Sequence, residues 1–195
     1  MMVAIGWVLL AYFLGSLPFA VWVARLRGKN VLREGSGNPG ALNVHRVAGW
    51  RAGLAVLLLD MAKGLAAVAL PWWRHAPWTL VMITGVAVVA GHCFSPFLKF
   101  RGGRGIATTG GVLLLISPLA MLGILALGAV LMALARRPEP AALAMIFATP
   151  LFLWAFEQSP TYLVFSLALV AVVAAKHGEE FGMLRQALRR AFRKH

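Results

Sequence analysis

Apolar residues run along the chain in long blocks, separated by short polar segments rich in glycine and arginine. A helix that crosses about 30 Å of hydrocarbon needs roughly 20 apolar residues. Three blocks reach that length directly: residues 3–23, 52–73 and 78–98. Trp72, Trp73 and Trp78 cluster around the link between the second and third, as indole rings do at a membrane interface. A fourth block, 106–135, would measure about 45 Å as one helix, too long for a single crossing. Ser117-Pro118 disfavours helical backbone at the serine, so this block is expected to split there. The piece 106–117 is then short enough to be a half-helix beside a site. Blocks 141–156 and 162–175 complete the apolar part. In 181–195 the pattern changes. Phe181, Leu184, Leu188 and Phe192 share one helical face, and Arg185, Arg189, Arg190, Arg193 and Lys194 occupy the rest. That pattern predicts a basic amphipathic tail lying on an anionic membrane surface.

Composition sharpens this picture. Hydrophobic types make up 61% of the 195 residues and charged types 13%, more apolar surface than a soluble globule of this size could bury. A net charge of +13 taken alone would suggest nucleic acid, but its placement follows membrane topology. Block 3–23 is followed, not preceded, by basic residues, so it reads as a retained helix with its N-terminus outside rather than a cleaved signal. Every basic residue except Arg74 and Lys63 then falls on the cytoplasmic side if the number of spans is odd. Six spans would strand the basic tail outside, whereas splitting the long block near Pro118 gives seven. The expected fold is an all-α polytopic membrane protein of about seven transmembrane helices, one domain over 1–195, with its C-terminus cytoplasmic. Membrane lipids are expected neighbours and nucleic acid is not. Cys93 is the single cysteine, which excludes a disulfide framework and a thiolate zinc site.

Three polar segments carry the chemistry. In the first, Gly35-Ser36-Gly37-Asn38-Pro39-Gly40 fits the G-x-G-x-x-G pattern, but hydrophobic spans flank it instead of a βαβ unit, so a dinucleotide site is excluded. Its glycines let backbone N–H groups approach an anion, Ser36, Asn38 and Asn43 add neutral hydrogen-bond partners, and Arg46 adds a bidentate fork. An anion cradle and a tight cytoplasmic turn are equally compatible with these residues. In the second, Arg101-Gly102-Gly103-Arg104-Gly105 places two guanidiniums on flexible backbone directly before a helix N-terminus, which favours anion binding. No G-K-[ST] follows, so it is not a P-loop. His92 and Cys93 just before it read as structural. In the third, Lys176-His177, a histidine stands where the last span meets the cytoplasm. It could bind phosphate or move a proton, although these residues taken alone favour a bystander beside a snorkelling lysine. Within the second span, Asp60 and Lys63 sit three residues apart and are expected to form a buried ion pair that braces the site from behind.

Taken together, these residues resemble the bacterial acyl-phosphate:glycerol-3-phosphate acyltransferase family of the PlsY type. The resemblance rests on Leu14-Gly-Ser-Leu-Pro-Phe19, Gly35-Ser-Gly-Asn-Pro-Gly-Ala-x-Asn43 with Arg46, Asp60-x-x-Lys63-Gly64, Gly91-His92, and Phe100-Arg-Gly-Gly-Arg-Gly-Ile-Ala-Thr108. It spans the chain in order. It implies an enzyme that moves a fatty acyl group from acyl phosphate to the 1-hydroxyl of glycerol 3-phosphate, giving lysophosphatidic acid and phosphate in phospholipid biosynthesis. It further implies a seven-helix bundle in the cell inner (plasma) membrane with a cytoplasm-facing site, no cofactor and no metal. An upstream enzyme that forms acyl phosphate would be a partner. Consistent with independence from acyl-CoA and acyl carrier protein, no His-x-x-x-x-Asp motif follows any histidine.

Carried over residue by residue, the resemblance gives Ser36, Arg46 and Arg104 the substrate phosphates. Gly37, Asn38, Asn43, Arg101, Gly102, Gly103 and Thr108 support the same pocket. It makes His177 the candidate catalytic residue, with Asp60, Lys63, His92 and Glu180 around the site. The hydroxyl proton would go to a phosphate oxygen or to His177. The chain also departs from the family pattern. Lys176, Glu180 and Met183 stand where Arg, Asn and Arg are usual, Arg101 and Arg104 replace lysines, Leu42 replaces a threonine, and Pro96 is shifted by one place. Glu180 is expected to oppose glycerol 3-phosphate unless it is turned away or paired with arginine. The alternative is a divergent, non-catalytic paralogue that binds phosphate or lipid, or transports anions.

Overall fold

The computed structural model describes residues 2–136 and 138–192, with the side chains of residue 135 and residues 179–192 excepted. Nine α-helices and a 3-10 turn follow one another among them: α1 (Met2–Ser16), α2 (Phe19–Arg25), α3 (Ala41–Ala48), α4 (Trp50–Trp73), α5 (Trp78–Cys93), the turn Pro96–Leu98, α6 (Ile106–Ile116), α7 (Pro118–Ala135), α8 (Pro138–Glu157) and α9 (Pro160–Phe192). Five helical stretches are long and apolar enough to cross a membrane: Met2–Arg25, Trp50–Trp73, Trp78–Leu98, Pro138–Glu157 and Pro160–Gly178. Two shorter apolar helices, Ile106–Ile116 and Pro118–Leu134, complete the set. Large apolar side chains such as Leu58, Leu122, Leu151 and Val164 are exposed, the outward face that lipid requires.

The expected unbroken helix over 3–23 is interrupted. Pro18 lacks an N–H and ends the α1 ladder, and the carbonyls this releases find partners elsewhere in the chain. Lys63 Nζ donates to the Leu17 carbonyl at 3.2 Å, and Ser95 Oγ donates to the Ser16 carbonyl at 2.6 Å. The predicted break at Ser117-Pro118 is present and divides α6 from α7, with Ser117 Oγ donating to Glu157 at 2.5 Å. The tail expected as a separate element is instead continuous with the last span, since α9 runs through Gly178 to Phe192. At about 50 Å it exceeds the hydrocarbon thickness. The two-faced pattern expected over 181–195, and the orientation of Glu180, lie outside the described side chains.

Two apolar cores hold the bundle. The larger is built from α1, α4, α5, α6, α7, α8 and α9 around Val88, Val112, Leu153 and Leu169. The smaller joins α2, α3 and α4 through Val21, Val44 and Val56. Hydrocarbon gives helices no hydrophobic reason to associate, so small residues that permit close backbone approach matter. At the α4–α6 contact, a Cβ on Gly64 would strike the Thr108 carbonyl, and one on Gly111 would strike the Met61 carbonyl. This tight pairing places the N-terminus of α6 beside α4 and thereby positions the site.

Candidate active site

A cavity of about 380 Å³ opens among α3, α4, α6, α7 and α8. Its wall carries the polar side chains Ser36, Asn38, Asn43, Arg46, Asp60, His92 and Arg104. It also carries the apolar side chains Leu57, Ile106, Leu125, Ala129, Met132 and Met145. The first turns of α3 (Ala41, Leu42) and α6 (Ile106, Ala107) both border it, so two helix N-termini line the cavity together with Arg46 and Arg104. Unpaired N–H groups and the helix dipole favour an anion at such a point, and guanidinium adds charge and a fork of donors.

The first polar segment is shaped by a residue expected to serve the ligand. Asn43 is 2% exposed, and its amide is consumed by the loop. Oδ1 accepts the Ser36 N–H at 2.9 Å, while Nδ2 donates to the carbonyls of Val31 and Glu34 at 3.0 and 3.1 Å. Asn43 therefore folds the loop around Ser36. Gly37 lies off the wall and donates its N–H to the Glu34 carbonyl. Asn38 lines the wall, and its Oδ1 is buried without a hydrogen-bond partner.

The second segment corrects the expected use of its glycines. The N–H groups of Gly102 and Gly103 do not face the cavity. They donate to the carbonyls of Cys93 and His92, each at 3.1 Å, and dock the loop on the end of α5. A Cβ at Gly103 would meet the His92 ring, and one at Gly102 the His92 carbonyl. Close packing explains both glycines, and the loop delivers Arg104 to the wall while Arg101 stays exposed away from it. Thr108 is fully buried behind the wall, with Oγ1 unpartnered.

Asp60 and Lys63 form the expected buried pair, with Nζ 2.8 Å from Oδ1 and the side chains 2–3% exposed. His92 Nδ1 lies 3.5 Å from the same Oδ1. The cluster is closer to the site than the spacing suggested: Asp60 and His92 are on the cavity wall, and Lys63 stands behind them. His177 is off the wall, its Nδ1–H donating to the Val173 carbonyl at 2.9 Å. Lys176 is buried rather than snorkelling, with its ammonium 5.7 Å from the Phe94 ring centre.

Sequence reading missed Glu139. It lies in the first turn of α8, lines the cavity, and forms an ion pair with Arg46. The chain has only six acidic residues, and one beside the arginine-rich link before Pro138 was the available signal.

A bundle of apolar helices enclosing a cavity whose wall carries guanidinium groups beside apolar side chains defines a class: membrane proteins with a site that can take a ligand both anionic and apolar. Comparison with known proteins narrows that class. The sequence model of the family described as glycerol-3-phosphate acyltransferase matches residues 5–187, and the chain belongs to that family. A glycerol-3-phosphate acyltransferase of Trichlorobacter lovleyi is 38% identical over 91% of this chain and 92% of its own length. One from Geobacter sulfurreducens is 38% identical over 94% of each chain. The crystal structure of PlsY (YgiH), an integral membrane glycerol 3-phosphate acyltransferase in its glycerol 3-phosphate form, superposes with a TM-score of 0.84 at 30% identity. That match covers 94% of this chain and 92% of the other. The lysophosphatidic acid form of the same protein gives 0.82.

Proposed function

We propose that this chain is an acyltransferase of phospholipid synthesis that moves a fatty acyl group from acyl phosphate to the 1-hydroxyl of glycerol 3-phosphate. Family membership supports the reaction class. The observation that carries the reading is the cavity in which Ser36, Arg46 and Arg104 share a wall with apolar side chains of α7 and α8. Both substrates bear a phosphate, and the donor and the product each bear an acyl chain. Such a cavity suits the whole set, whereas an anion transporter would have no use for its apolar lining.

In the proposed step the glycerol oxygen attacks the acyl carbonyl carbon, and the bond from that carbon to the phosphate oxygen breaks. The hydroxyl proton ends on the departing phosphate. The donor is a mixed anhydride, so no protein nucleophile is needed. Stabilising the phosphate charge is the main demand, and Arg46, Arg104 and the two helix N-termini are the groups to meet it. His177, the alternative first acceptor, is off the cavity wall with Nδ1 engaged by the Val173 carbonyl, which favours the phosphate oxygen for this role.

The five long stretches with α6 and α7 amount to seven hydrophobic helical segments, in line with an outside N-terminus, a cytoplasmic C-terminus and a cytoplasm-facing site in the inner membrane. Acyl phosphate must then come from an upstream acyl-activating enzyme. The test is reconstitution of purified protein in lipid with acyl phosphate and labelled glycerol 3-phosphate, without acyl-CoA. Lysophosphatidic acid and phosphate should form in equal amounts, and Arg46→Ala and Arg104→Ala should lose most of the activity. Absence of product, or an Arg46→Ala variant equal to the wild type, overturns the reading. Uptake of phosphate into vesicles without acyl product would establish the non-catalytic alternative instead.

A further inference from the structure

Arg46 and Glu139 are 93 residues apart in sequence, yet Arg46 Nη2 donates to Glu139 Oε1. Their positions give the contact a consequence. Arg46 belongs to α3, which packs on α4, and Glu139 belongs to α8, which packs on α7 and α9. Both side chains line the cavity, so the ion pair ties its two sides together. They are 43% and 33% exposed, within reach of solvent ions. A carboxylate engages guanidinium through the same fork of donors that a phosphate would use. The other acid on the described wall, Asp60, is already committed to Lys63. Glu139 also has somewhere to go when Arg46 leaves: it sits in the first turn of α8, where a negative charge is favoured by the helix dipole and open to water.

We propose that Glu139 is a positioning residue that stands in for substrate phosphate. It holds Arg46 at the cavity until a phosphate dianion takes the guanidinium over, and by competing for it sets the affinity for that substrate. The inference rests on the phosphate reading of the Arg46 site. A carboxylate beside that site opposes a dianion both by occupying Arg46 and by repelling the incoming charge, so removing the charge should strengthen binding.

The experiment uses Glu139→Gln in the full-length reconstituted protein, varying acyl phosphate and glycerol 3-phosphate independently. The KM for the substrate whose phosphate Arg46 holds should fall about two- to fivefold, the scale of a partly exposed ion pair. The KM for the other substrate should stay within about twofold, so the two titrations identify which phosphate Arg46 serves. Glu139→Ala should move KM in the same direction, and Glu139→Asp, which keeps the charge, should return it toward the wild-type value. A merely structural role for Glu139 predicts the opposite signature: lower kcat, with KM unchanged or raised for both substrates. That outcome overturns the inference. Failure of the underlying reading is separately visible, because the wild type would then form no lysophosphatidic acid.

Discussion

The ring of His92 lies directly against Gly103, and the carbonyl of the same histidine accepts the Gly103 N–H at 3.1 Å. The loop that brings Arg104 to the cavity is thus set by the end of α5. Gly103→Ala should force the loop off α5, because the added methyl meets both the His92 ring and the Pro39 carbonyl. Overpacking of this kind costs about 1–3 kcal/mol. The displaced Arg104 should cost activity on the order of ten- to a hundredfold. Thermal unfolding in detergent and lysophosphatidic acid formation measure the two effects. An alanine variant with wild-type turnover would show that the loop is not fixed from α5.

Asp60→Asn should be strongly destabilising. It leaves the Lys63 ammonium buried beside a backbone carbonyl and the Phe19 ring, without its carboxylate. Breaking a buried pair by removing one partner costs about 3–5 kcal/mol. Replacing both charges, as in Asp60→Asn with Lys63→Met, should recover much of that stability, since no uncompensated charge remains. Activity should not return with it, because Asp60 also lines the cavity. Unfolding midpoints of the single and double variants, read beside turnover, separate the two roles.

Asn43→Ala should disable the first polar segment without touching a substrate. It removes partners from the Ser36 N–H and from the Val31 and Glu34 carbonyls. Each buried group left unsatisfied costs about 1–3 kcal/mol. Ser36 would lose its anchor, so KM should rise together with the loss of stability. Asn43→Asp should rescue only the Ser36 contact, since a carboxylate accepts but cannot donate to the two carbonyls. Hydrogen exchange at residues 31–36 would report the loosened loop. Unchanged protection there would refute the anchoring role.

The sequence made some features of this site legible because they depend on nearest neighbours. The i,i+3 spacing of Asp60 and Lys63 on one helix face is enough to pair them, and Ser117-Pro118 is enough to divide α6 from α7. Pro18 was equally visible, yet the strong hydropathy of 3–23 masked it. The released carbonyls are affordable only because Lys63 and Ser95, distant in sequence, donate to them. Helix α3 was hidden among glycines and asparagine, since its stability comes from burying Val44 against α2 and α4. The glycines of the arginine loop were assigned to the ligand, whereas tertiary packing on His92 and Cys93 had claimed their N–H groups. Glu139 reaches Arg46 only through the packing of α8, a relation that no local spacing encodes.

Gly128 on α7 and Met145 on α8 both line the cavity, and a Cβ on Gly128 would press on the methionine sulfur. If the apolar lining of α7 and α8 holds the acyl chain, the space there sets the longest chain that fits, and Gly128→Val should reduce it by about the volume of the added carbons. Each buried methylene is worth about 0.8 kcal/mol, or roughly fourfold in kcat/KM. Long-chain acyl phosphates should therefore lose by about that factor for every methylene excluded, while chains short enough to stop before Gly128 keep their rate. The optimum should move to shorter chains, with the KM for glycerol 3-phosphate unchanged, because Ser36, Arg46 and Arg104 are untouched. The check is a series of acyl phosphates of increasing length assayed with both proteins. A uniform drop at every length would mean that the valine disturbs the α7–α8 packing as a whole, and that the acyl chain lies elsewhere.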